Sequence, residues 1–479
     1  MKQRFFLIAV LLCLAYPAIA KTWRVGPGRQ YTAPSKVMSL VSNGDTVEID
    51  PGLYVKDVGA WNADSLVLRC STGYAHLDAQ GTAAQRKAIW VINGKHNYVE
   101  GIEFSGCAIS FADGDNGAGI RLQSNSFGCR RCYFHDNQEG ILTGNDTTTE
   151  ITVEACEFDH NGVEGTSLAG FEHNIYIGHS RIATVKYCYF HRSIVGHELK
   201  TRANVNYILY NHIVDGPDGD GSYSIDIPNG GLAFVIGNSI EKGPNASNST
   251  IFCYGEEGII NPDSELYFVN NTVVTDRNPT RLDTIKPGAK AILINNIFAG
   301  NMHPLNPTAD TVSNVITSDV SFFHFRNAAA YDYQPTAAFP GMTSTTDPGS
   351  AHGFSLRPIS SYVDPLDSMS RNDQPLQIGA FPFQAPQAVE RSAIILPASV
   401  YPNPLQQSGM IAVPATFAGD HVSLELLDAT GALARRDVLP VVAGTMHFER
   451  GSLMAGVYYY RIIAEGGDQL CCGSIVITP

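Results

Sequence analysis

The stretch "GHELKTRA", Gly196 to Ala203, sets Glu198, Lys200 and Arg202 each two residues from the next. In a β-strand such positions share one face. A lysine and an arginine about 6.6 Å apart on one face suit β-elimination beside a carboxylate. That reaction needs a cation to neutralise the carboxylate, a base for the adjacent proton and an acid for the departing oxygen. Arg202, permanently charged and bidentate, fits the first role. Lys200 fits the second if desolvation and a nearby cation bring it to neutrality. Tyr176 or His173, in "HNIYIG", can supply the proton. The competing reading is an exposed charge row that pairs with itself and contributes little. Glu198 supports that reading, because it stands equally close to Lys200 and favours its charged form.

What positions these residues is a repeat. "CRRCYFHDN", "VEACEFDHN", "VKYCYFHRS", "YILYNHIVD", "FVIGNSIEK", "YFVNNTVVT" and "ILINNIFAG" align with Phe134, Phe158, Phe190, Ile213, Ile240, Val273 and Phe298 in register. The intervals run from 23 to 33 residues, a solenoid period. Two positions earlier stand Cys132, Cys156, Cys188, Asn211, Asn238, Asn271 and Asn296. In a stack of coils about 4.8 Å apart these form a ladder, with asparagines bonding along the column and thiols filling it as small core residues. That reading outweighs a metal or redox role for the cysteines, although "CRRC" has the spacing of half a site.

This repeat resembles the right-handed parallel β-helix proteins of the pectate-lyase superfamily, over roughly residues 21–385. "WRVGPGRQYTAPSKVMSLVSNGDTVEIDPGLY" is similar to that family's first strand, capping helix and first coil, and "GFSLRP" with "QIGAF" to its last coil. The resemblance implies an all-β solenoid and a carbohydrate ligand. It does not choose among lyases, hydrolases, epimerases and non-catalytic proteins. The Lys/Arg division of labour is similar to that of chondroitinase-B-like and alginate lyases.

Four successive coils carry an alternating strand: "HNIYIG", "VGHELKTR", "YSIDIP" and "TIFCYG". Aligning Ile177, Leu199 and Ile227 inward also turns Ile175, His197 and Ile225 inward. It turns Asn174, Tyr176, Glu198, Lys200, Ser224 and Asp226 outward, stacks Tyr176 on Glu198 on Asp226, and exposes Phe252 and Tyr254. Asn174, Ser224, Phe252 and Tyr254 then become sugar-binding candidates, and a one-residue slip inverts every assignment. Glu198 and Asp226, roughly 5 Å apart at their backbones, offer a retaining hydrolase instead. A glycan-binding surface without chemistry is the third reading. "DGPDGDG" (Asp215, Asp218, Asp220) and "DGDNG" (Asp113, Asp115, Asn116) offer oxygen ligands for Ca²⁺, though Asp and Gly are also ordinary turn residues.

The flanks carry targeting signals. Lys2 and Arg4, an apolar run and Ala18–Ala20 read as a signal peptide over residues 1–20. After a linker over 386–397, residues 398–479 alternate in short strands that suggest a small β-sandwich. There, "YPNP", "LLDATGALA" and "GVYYYRI" resemble the C-terminal sorting domain of type IX secretion substrates. That likeness implies a secreted or surface-attached protein of a Bacteroidota-type bacterium that meets the type IX machinery. Of the 479 residues 44% are hydrophobic and 16% charged, as in a folded chain. The net charge of −14 argues against nucleic-acid binding. No later stretch reads as a transmembrane helix, and a monomer is expected.

Overall fold

The computed structural model describes residues 20–303, 309–383, 396–397, 400–413, 421–428, 433–464 and 469–478. Nearly all of the expected signal peptide and linker lie outside these residues. The chain divides into two units, one ending at residue 384 and one beginning at residue 385.

The first unit is a parallel β-helix. Three parallel sheets of twelve, ten and eleven strands run its length, each strand pairing with its equivalent in the next coil. The buried phenylalanines stack as the repeat predicts. Ring centroids of Phe104, Phe134, Phe158 and Phe190 follow one another at 5.0, 4.9 and 4.7 Å.

The corner between the twelve- and eleven-stranded sheets explains the repeat. Arg131, Ala155, Tyr187, Tyr210, Gly237, Asn270 and Asn295 turn it with φ between 49° and 68°, a conformation that costs every residue but glycine. The following residue is the ladder residue, and its side chain compensates. Asn211 N–H donates to Asn238 Oδ1 (2.9 Å), Asn238 N–H to Asn271 Oδ1 (2.8 Å) and Asn271 N–H to Asn296 Oδ1 (2.8 Å). Each amide nitrogen also reaches back to a carbonyl, as Asn238 Nδ2 does to Ile208 O at 2.9 Å. Cys132, Cys156 and Cys188 occupy the same column as buried free thiols. Cys156 Sγ accepts from Cys132 N–H at 3.5 Å.

Both ends differ from expectation. The capping helix is a short 3₁₀ turn, Pro34–Lys36, followed by Val37, which is buried in the main core. Residues 320–383 do not close the helix with a final coil. They form short antiparallel hairpins that pack on outer sheet faces. Phe354 and Leu356 cover Tyr207, Phe234 and Tyr267 of the twelve-stranded sheet. Tyr362, Ile378 and Phe381 cover Val274, Ile297 and Ala299 of the eleven-stranded sheet. Among the described residues, this segment contributes nothing to the apolar cluster on the outer face of the ten-stranded sheet.

The second unit is a small β-sandwich. A five-stranded and a three-stranded sheet share one core that includes Ile411, Leu424, Phe448, Tyr460 and Ile475. No helix among the described residues is long and apolar enough to cross a membrane.

Replacing a mid-ladder amide tests the corner account. Asn238→Ala leaves the Asn211 N–H without its acceptor in the core, and should cost roughly 1–3 kcal/mol. Asn238→Cys, which copies the rung used three coils lower, should cost clearly less. Thermal and denaturant melts compare the two, and equal losses would contradict the account.

Candidate functional site

The candidate residues gather on the outer face of the ten-stranded sheet. The strands Ile175–Ile177, Leu199–Thr201, Ile225–Ile227 and Thr250–Tyr254 lie side by side. Their register pairs Tyr176 with Lys200, Lys200 with Asp226 and Asp226 with Cys253. The expected column, Tyr176–Glu198–Asp226, is therefore corrected by two residues in its middle coil. Lys200 keeps its face and takes the central rung. In the fourth coil the correction is one residue, which inverts the face. Phe252 and Tyr254 point into the core and Cys253 points out, so neither aromatic ring is available to a sugar.

Glu198 is a structural rung. It is fully buried at the corner preceding its strand. There Cys107 N–H donates to Asn137 Oδ1, Asn137 N–H to Asn161 Oδ1 and Asn161 N–H to Asn174 Oδ1. Ser193 N–H donates to Glu198 Oε1 in the same manner at 2.9 Å, and Asn174 Nδ2 donates to Glu198 Oε2. Asn174 is thus a second ladder residue, buried and unable to meet substrate. Ser224 is buried as well. Burial, and then the nearby Asp215, push the Glu198 carboxyl well above the usual range. Asp215 pairs with the buried Lys242 at 3.0 Å.

The proposed calcium loop therefore does not assemble. Asp215 is committed to Lys242, Asp220 accepts from Val195 N–H at 2.8 Å, and Asp218 is exposed. In the other loop Asp113 pairs with Arg86 and Asp115 accepts from Gln138.

What does assemble is compact. Lys200 Nζ lies 3.4 Å from Asp226 Oδ2 and 3.9 Å from Glu257 Oε1. Arg202 clasps Glu257 through both terminal nitrogens, at 2.5 and 2.9 Å. Its Nε donates to Tyr176 Oη at 2.7 Å, so the phenol O–H is not spent on Arg202. Both cations lie beside the Tyr176 ring, at 5.4 and 5.6 Å. Burial alone would lower the Arg202 pKa, but the bonds to Glu257 and Tyr176 outweigh it and raise it. The hydrogen bond from Arg202 holds Glu257 below the usual range.

Sequence reasoning placed His197 inside, as a core histidine. Instead its Nε2 stands 3.3 Å from Asp226 Oδ2, and its ring stacks on His173 at 4.4 Å. His173 is buried, and its Nδ1 accepts from His197 N–H at 3.0 Å. Burial, then neighbouring positive charge, drive both imidazoles well below their usual pKa. His173 therefore orients His197 and is too deep to protonate a substrate. A signal existed: His173, His197 and Tyr223 each precede the column residue by three. Glu257 and Asn229, which accepts from Arg202, lie on loops and carried no such signal.

No family model matches the chain, and no curated protein matches it. Solved structures do. The chain is similar to pectate lyase Pel9A, with 12% identity, 76% of this chain and 96% of that one covered, and a TM-score of 0.45. It is also similar to a PL6-family polysaccharide lyase from Pseudopedobacter saltans, with 14% identity, 59% and 90% covered, and a TM-score of 0.31. A third is a mutant of the PL6-family alginate lyase AlyGC, with 12% identity, 75% and 56% covered, and a TM-score of 0.27.

Asp226 gives the site a pH signature. Burial raises its pKa from 3.8 to about 6, against the opposing pull of Lys200. A folded-state value above the unfolded one means that this group's contribution to stability is greatest below pH 4 and falls until about pH 6. The drop is roughly 3 kcal/mol. The stability difference between wild type and Asp226→Asn, followed by denaturant melts, should change across pH 4–6 and stay level from 6 to 8. A difference that stays constant throughout would contradict this reading.

Proposed function

We propose that this chain is a polysaccharide lyase, or a mechanistically related epimerase, acting on a uronate-containing glycan at Tyr176, Lys200, Arg202 and Asp226. One observation carries the reading: Lys200 and Arg202 converge on a single carboxylate, that of Glu257. Glu257 sits on a loop, with its side chain 48% exposed, and holds the place a uronate carboxylate would take. Substrate would exchange with it, and the Arg202 guanidinium would neutralise the C6 carboxylate in bidentate fashion.

With that charge neutralised, the C5 proton becomes acidic. Lys200, next along the column, is the base that takes it, after its amine has passed its own proton to Asp226, 3.4 Å away, and the exchange has removed Glu257 from its side. The C5–H pair of electrons forms the C4–C5 double bond as the C4–O bond breaks. Tyr176 gives its proton to the departing oxygen, and Arg202 steadies the phenol. Asp226 and His197 hold the Lys200 amine in line. In an epimerase the same carbanion would instead be reprotonated from the opposite face.

Two earlier alternatives fare unequally. A hydrolase using Glu198 with Asp226 has no footing, because Glu198 is buried as a rung of the corner ladder. A binding protein without turnover would use the same Arg202 clasp and is separated only by assay. Export through the N-terminal segment, and passage through a type IX pathway by way of the C-terminal β-sandwich, are part of the proposal. They rest on the sequence likenesses given above.

Kinetics on soluble uronate polymers test the site. Lys200→Ala should abolish formation of ultraviolet-absorbing unsaturated ends, with the fold retained by circular dichroism. Glu257→Gln weakens the internal competitor and should lower KM several-fold while kcat changes little. A raised KM in Glu257→Gln, or full activity in Lys200→Ala, would contradict the proposal.

A further inference from the structure

A second cluster lies on a different face. On the outer side of the eleven-stranded sheet, three successive coils contribute the strands Ala75–Asp78, Ile102–Ser105 and Tyr133–His135. His76 is the register partner of Glu103, and His135 that of Ser105. Glu103 Oε1 lies 3.1 Å from His135 Nε2 and 3.4 Å from His76 Nδ1. One donor atom from each residue falls within 4.8 Å of the other two, the only such grouping of three or more metal-ligating side chains among the described residues.

The far nitrogens are already engaged. His135 Nδ1 meets Asp136 Oδ2 at 2.7 Å, and Asp136 is held in turn by His160 Nδ1 at 2.9 Å. An ionised carboxylate only accepts, so the His135 proton belongs on Nδ1 and the Nε2 lone pair faces Glu103. His76 Nε2 meets Ser105 Oγ at 2.7 Å, and in the tautomer that donates there its Nδ1 lone pair also faces Glu103. The Tyr133 ring packs on His135 at 4.3 Å and fixes its plane. A bare lone pair and a carboxylate oxygen at 3.1 Å need a cation between them. A proton would serve that pair, and the Nδ1–H tautomer of His76 would serve the other contact with Glu103, whereas a metal ion uses all three donors at once.

We propose that His76, Glu103 and His135 bind a divalent transition-metal ion of the zinc class. Metal–ligand bonds of 2.0–2.2 Å give tetrahedral edges of roughly 3.4 Å, close to the two contacts at Glu103. Two imidazoles and one carboxylate select zinc-like ions over calcium, which takes oxygen ligands. Asp136 and Ser105 are positioning residues that set the imidazole tautomers. Three protein ligands leave one position open. The side chains are 28%, 21% and 17% exposed, so an ion can enter from solvent. Two coils on, His191 repeats the contact with Glu157 at 3.1 Å but belongs to no such grouping, which makes it an internal control.

Calorimetric titration of Zn²⁺ into the untagged, metal-stripped full chain tests this. One ion per chain should bind, and zinc should raise the thermal midpoint. His76→Ala and Glu103→Gln should each weaken binding by at least roughly tenfold. Asp136→Asn should weaken it by about tenfold while removing no ligand, and His191→Ala should leave it unchanged. Melting of each variant in metal-free buffer reports its folding independently. Absence of saturable binding to wild type would overturn the proposal, as would wild-type affinity in both ligand variants.

Discussion

Everything in the first unit depends on the stacking of coils at one fixed spacing. A β-helix must turn a corner every few residues, and each corner strands a backbone N–H inside the protein. Here the N–H of each rung is met by the side chain of the next coil, asparagine in the later coils and cysteine in the earlier ones. Satisfying that donor matters more than any single apolar contact, because an orphaned buried amide costs more than a formed bond contributes. The left-handed corner residues persist only because the ladder holds them.

The same constraint builds the chemical face. Parallel pairing without offset places Tyr176, Lys200 and Asp226 directly above one another, so groups from distant parts of the chain meet without any loop being strained. The hairpins of residues 320–383 pack on the other two outer faces. Lys200 and Asp226 are nearly buried despite facing outward, and Glu257 closes over Lys200 and Arg202. Under the proposed function, a site with cations so satisfied in the free protein has to open for substrate, which would tie affinity to the Glu257 loop.

Much of this was legible in the residues. The periodic phenylalanines and the Cys/Asn column fixed coil boundaries, because stacking demands identical chemistry at identical positions. Lys200, Tyr176 and Asp226 were assigned to one outward face correctly. Glu198 was not, because alternation holds only within a strand, and Glu198 precedes its strand at a corner whose ladder it joins. Phe252 and Tyr254 were inverted for a related reason: "TIFCYG" offers hydrophobic residues on both faces, and only the pairing of Asp226 with Cys253 breaks the tie. Glu257 was invisible because a loop residue 55 positions from Arg202 obeys no repeat.

The central claim is that Lys200 and Arg202 perform elimination on a uronate. Mass analysis of the products from a panel of uronate polymers tests it most directly. Elimination predicts oligosaccharides whose masses sum to that of the starting chain, each cleavage leaving one unsaturated end. Epimerisation at the same site would leave the mass unchanged and invert C5, which isotope exchange from solvent would reveal. Products that gain one water at each cleavage, or a panel left untouched by a folded protein, would contradict the account.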